Sequence, residues 1–255
     1  MFFPVVVGLV LIFAEYVYLS PPEKKFKKKI FGGKIDYVQL LFAFILPLLL
    51  YSVAFAGFFL ILKRPRVAIV PIADWLVVYF AFVCAVFAAT GSGIHLVAKA
   101  VSWTLEDKKG TATYEMNRFF HGRLSHDLIY ISVLLLFFFL MIGEVNHPLI
   151  KICPGYFCWL LIGLGLVTGG LAMVLLVWLS DFGDVSLKLF AFLSISMLFL
   201  AAIFAFNFSL EFNQLPFSLF LLSSAVASTG MALFLSLPKF RRRVVKKLNS
   251  HLAGY

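Results

Sequence analysis

The stretch from Thr90 to Asp127 holds the densest set of side chains able to do chemistry. It carries Ser92 and His95, then Glu106, Asp107 and Glu115. Next comes the run Phe119-Phe120-His121-Gly122-Arg123-Leu124-Ser125-His126-Asp127. Imidazole is the commonest metal ligand near neutral pH, and a carboxylate offsets the charge of the ion. His95, His121, His126 and Asp127 are therefore the candidate ligands of a divalent metal such as zinc, with Glu115 as a further carboxylate. An ion held by such ligands with one position open lowers the pKa of its bound water and supplies a nucleophile for hydrolysis. Other residues oppose this reading. Lys99 stands one helical turn from His95, and Arg123 stands one turn before Asp127, where the two can pair. On a continuous α-helix, His121 and His126 point about 140° apart. Sharing one ion then requires the helix to start between them, at Gly122. The same histidines also read as interfacial side chains bonded to water, lipid phosphate or loop carbonyls, or as a proton relay.

Other motifs are few. Glu15, Asp74 and Glu144 lie near the ends of apolar segments, where they read as wetted helix ends; Asp74 and Glu144 also read as the ionisable groups of a small carrier or channel. Cys153 and Cys158 flank Pro154-Gly155 and can be free or bonded to each other; Cys84 lies in an apolar run and reads as a packing residue. There is no phosphate loop, dinucleotide fingerprint, Cys-x-x-Cys or His-Glu-x-x-His. The zinc pattern of the alkaline ceramidases pairs a Ser-x-x-x-His with a late His-x-x-x-His. Here Ser92 and His95 are one residue too close and the last apolar segment has no histidine, so membership of that family is not claimed. An opsin-like pigment is excluded too, since that segment has no lysine.

The elements that must position these groups follow from composition. Of 255 residues, 62% are hydrophobic and 13% charged, about half the charged fraction of a soluble domain. That excludes a soluble globular enzyme, a disordered chain and a disulfide-stapled secreted module. It leaves an all-α polytopic bundle in the cell membrane. Charge-free stretches mark about seven spans, at 2–20, 38–62, 72–98, 127–145, 156–180, 187–207 and 216–237, each long enough for a hydrocarbon core about 30 Å thick. Residues 1–238 read as one transmembrane domain and 239–255 as a basic cytoplasmic tail. The first segment lacks a basic leader and a small-residue cleavage site, so it reads as a retained span.

Seven crossings with the N-terminus outside place 18 of the 22 basic residues on the inner side and 4 on the outer side. This positive-inside bias predicts an N-outside, C-cytoplasmic orientation, with Lys63, Arg64 and Arg66 running against it. The net charge of +10 then belongs to the anionic inner leaflet rather than to nucleic acid. Small residues predict helix contacts: Ala81, Ala85, Ala89 and Gly93; the pair Gly165 and Gly169; and Ser224, Ser228, Ala232 and Ser236. Leucine at 89 or 93 is expected to force helices apart. Pro47 is expected to kink the second span.

Three functional classes fit this reading. The first two are a scaffold or assembly subunit, in a homo- or hetero-oligomer, and a small transporter. The third is a metal-dependent hydrolase with its histidine cluster at the cytoplasmic interface.

Overall fold

The computed structural model describes residues 3–19, 29–30, 35–36, 45–67, 69–150, 153–179, 191–192, 194–199, 202, 211–237 and 240. The described helices are α1 (Phe3–Leu19), α2 (Leu46–Leu62), α3 (Asp74–Ser102), α4 (Ala112–Arg118), α5 (Ser125–Asn146), α6 (Gly155–Leu179) and α7 (Pro216–Ser236). A six-residue π-helical turn, Phe119–Leu124, joins α4 to α5 without a break. The only described strands, Lys29–Ile30 and Ile35–Asp36, form one short antiparallel ladder.

The fold is all-α, but the seven-span expectation is overturned. Among the described residues four helices are long and apolar enough to cross a membrane: Asp74–Ser102, Ala112–Asn146, Gly155–Val174 and Pro216–Ser236. Of the expected spans at 2–20 and 38–62, the described residues form helices of 17 residues each, against the roughly 20 that a hydrocarbon core needs; 38–44 lie outside the described residues. Most of 187–207 lies outside the described residues, as does the tail beyond 239 except Phe240. Sorting loops by side depended on seven alternating crossings, so the N-outside, C-cytoplasmic orientation falls with the count. Pro47 stands at the start of α2 as described, two residues after Ile45, whose backbone is itself helical; the residues before Ile45, where the expected kink would show, lie outside the described residues.

The antiparallel helices α3 and α5 pack along a seam. The buried residues of α3 include Val77, Ala81, Cys84, Ala88, Gly91 and Ala98, alternating by three and four as in a left-handed pair. A strict four-residue ladder instead advances about 40° round the helix at each step. Ala81 and Ala85 therefore face the seam, whereas Ala89 and Gly93 are exposed. The close approach falls at Gly91, where a Cβ would lie 2.9 Å from both Ile129 Cγ1 and the Ser125 carbonyl oxygen; at Gly93 it would meet nothing within 4 Å. Gly91→Leu is expected to destabilise by about 1–3 kcal/mol or more through overpacking. Gly93→Leu should leave the melting temperature of detergent-solubilised monomer unchanged. Equal melting of the two variants would place the seam elsewhere.

The helices α6 and α7 run parallel, since Gly165 meets Phe220 and Ser223 while Gly169, one turn on, meets Ser224. Here the GxxxG expectation holds. Ser228 Oγ donates to the Gly169 carbonyl at 3.1 Å, and Ala232 is buried while Ser236 is exposed. The core reaches across both pairs. Phe58 of α2 lies under Gly143, Gly8 of α1 approaches Phe220, and Leu140, Leu161 and Phe217 are buried between them.

Candidate functional site

The turn back from α3 determines where the histidines meet. Ser102 Oγ donates to Ala98 O at 2.8 Å, and the chain continues through a 3-10 segment to Gly110, whose φ of +87° suits glycine. Thr111 then caps α4, its side chain accepting from the Tyr114 N–H. Asn117 Nδ2 donates to Ala98 O and Ser102 Oγ at 3.1 and 3.0 Å, tying the returning helix to the end of α3. The π-helical turn follows. The Ser125 N–H bonds the Phe120 carbonyl, five residues back. In that geometry residues five apart come onto nearly the same face. The poor α-helical phase of His121 and His126 is thereby cancelled, without a helix start at Gly122.

His95 occupies the next position along the α3 seam, directly against this turn. Its ring centre lies 4.6 Å from that of His121 and 4.9 Å from that of His126; the last two are 6.3 Å apart. Ser125 Oγ donates to the His121 carbonyl at 2.6 Å and lies 3.5 Å from His95 Nδ1. All three imidazoles are half-buried. Thus three of the four expected ligands come together. Asp127 is rotated about 100° round α5 from His126. Glu115 is exposed and faces Arg118 at 4.0 Å. The rings stack or tilt against one another, and among the described residues no group of three His, Cys, Asp or Glu side chains is arranged as it stands to hold a metal ion.

A second polar system closes the opposite end of the bundle. Glu144 is completely buried. Its carboxylate accepts from Phe217 N at 3.1 Å, Ser218 N at 2.7 Å and Ser218 Oγ at 2.9 Å, and Arg64 Nη1 lies 3.5 Å away. Helix α7 has no side-chain cap of its own at Leu215. A carboxylate from α5 therefore satisfies the free N–H groups and the positive end of the helix dipole. Asn146 clasps Val70, its Oδ1 accepting from Val70 N at 2.7 Å and its Nδ2 donating to Val70 O at 3.1 Å. His147 Nδ1 lies 2.7 Å from the Arg64 carbonyl and Nε2 lies 3.2 Å from Asp74 Oδ2. Arg66 Nε is 3.4 Å from Asp74 Oδ1.

Glu144 is therefore not a wetted helix end. Arg64 and Arg66, two of the residues that ran against the charge count, are paired with carboxylates of the fold. Asn146 and His147 were not singled out from sequence. The signal available was the polar cluster Glu144, Asn146 and His147 closing an apolar run.

Cys153 and Cys158 are free. Burial, with the Cys158 thiol beside it, pushes the Cys153 thiol up to about 12, and its side chain packs in the buried core. The side chain of Glu15 lies outside the described residues.

These features define a multi-pass membrane protein, with four candidate transmembrane helices among the described residues. Comparison of the chain with family profiles, curated proteins and solved structures returned no match.

Proposed function

We propose that the protein is a membrane-embedded scaffold or assembly subunit whose main work is helix packing, within the chain and with other membrane helices. The observation that carries this reading is Glu144. It is the fully buried carboxylate among the described residues, and every partner found for it belongs to the fold. A carrier of ions or protons uses an ionisable group that alternates between cargo and water, and Glu144 is engaged as a helix cap. Outward-facing small residues add support. Ala89 and Gly93 on α3 and Gly163 on α6 are exposed, and a Cβ at either glycine would meet nothing within 4 Å. Such positions let a neighbouring helix backbone approach closely in lipid.

The test is mass and flux measured on the same preparation. In lipid nanodiscs or by cross-linking in membranes, the chain should run as an assembly larger than its 28.6 kDa monomer. Gly93→Leu or Gly163→Leu should dissolve that assembly without lowering thermal stability. Liposomes holding the protein should show no saturable uptake of protons, sodium or potassium. A monomer that catalyses saturable uptake overturns the proposal.

A further inference from the structure

The end of the α3–α5 pair holds a group of side chains that helix packing alone does not require. Three imidazoles from two antiparallel elements share one small volume, and one of the elements is a π-helical turn, a form found mostly as short insertions at functional sites. A tetrahedral centre with imidazole nitrogens about 2.0–2.1 Å from the ion sets ring centres about 5 Å apart. The separations of 4.6, 4.9 and 6.3 Å bracket that distance.

We propose that His95, His121 and His126 bind a single first-row transition-metal ion through three imidazole nitrogens. This goes beyond the scaffold reading and does not depend on it.

The stacked rings do not yet aim three donors at a common point. Binding therefore requires the rings to turn, and the terminal ring torsion is broad and soft for histidine. The backbone is already placed by the seam and the π-helical turn. Ser125 supplies the outer contact. Its hydroxyl, near His95 Nδ1 and bonded to the His121 carbonyl, orients His95 to ligate through Nε2. Three neutral nitrogen donors without a carboxylate favour zinc, cobalt, nickel or copper over magnesium and calcium. Half-burial leaves the group open to an ion arriving from the interface. The neighbouring cation Lys99 opposes binding by simple repulsion, so substitution there should strengthen it.

The experiment uses the full chain, purified in detergent without a polyhistidine tag and stripped with chelator. Zinc is titrated by calorimetry, and cobalt is followed by its visible absorption. One equivalent per chain should bind. His121→Ala and His126→Ala should each weaken zinc more than about 100-fold, beyond the range of about 10–100-fold for a lost outer contact, and Ser125→Ala should fall within it. His251→Ala, in the tail, should bind as the unchanged chain does, and Lys99→Gln should bind more tightly. Less than half an equivalent, or binding that survives loss of His121 and His126, overturns the proposal. Should the alanine variants fail to fold, imidazole modification of the unchanged chain decides. Zinc should protect His95, His121 and His126 together from diethyl pyrocarbonate, and equal labelling with and without zinc overturns the site.

Discussion

Glu144→Ala is expected to destabilise the bundle by about 3–5 kcal/mol, the range for removing one member of a buried charged network. The loss strands two backbone N–H groups and a hydroxyl of α7 that the carboxylate accepts from at 2.7–3.1 Å, and each unsatisfied buried group costs about 1–3 kcal/mol. Glu144→Gln keeps an acceptor oxygen and should cost less. Arg64→Met should cost least. The guanidinium stands farther off, at 3.5 Å, and the three hydrogen bonds that α7 gives the carboxylate remain without it. The order alanine, glutamine, then Arg64→Met can be read from thermal unfolding in detergent. An Arg64→Met loss as large as that of Glu144→Ala would show that the ion pair, and not capping of α7, holds this end together.

Gly169→Leu should be at least as damaging. A Cβ at Gly169 would overlap the Ser224 carbonyl oxygen and come within 2.8 and 2.9 Å of its carbonyl carbon and Cα. These are backbone atoms, which no side-chain rotation can move aside. The two helices must separate, and the Ser228 Oγ bond to the Gly169 carbonyl separates with them. Overpacking of this kind costs about 3 kcal/mol or more, a large part of a total stability of about 5–15 kcal/mol. Gly169→Ala should show most of the loss, because the first carbon makes the clash. Gly163→Ala is the control. Its Cβ meets nothing within 4 Å, and alanine is the better helix former by about 1 kcal/mol. Unfolding of the two alanine variants at the same temperature would mean that α6 and α7 do not meet at Gly169.

Composition by itself determined that this chain lives in a membrane and is helical. With 62% hydrophobic residues in long uncharged runs, only internally bonded helices satisfy the backbone in lipid. The contact between Gly165, Gly169 and the serine ladder of α7 was also legible, because small residues one turn apart have one main use between helices. The number of spans was not legible. Hydropathy marks an apolar run without fixing the helix within it, and among the described residues the stretches at 2–20 and 38–62 hold helices of 17 residues each.

Phase was the other thing that only the tertiary structure decided. Fixed spacing put Ala89 and Gly93 on the α3 contact, whereas the left-handed seam drifts away from a four-residue ladder and selects Ala88 and Gly91. The same regular geometry set His121 and His126 apart, and one π-helical turn brought them round to His95. The role of Glu144 was hidden for a related reason. Its partners, Phe217 and Ser218, lie more than seventy residues along the chain, and a carboxylate that caps a distant helix looks in sequence like one that faces water.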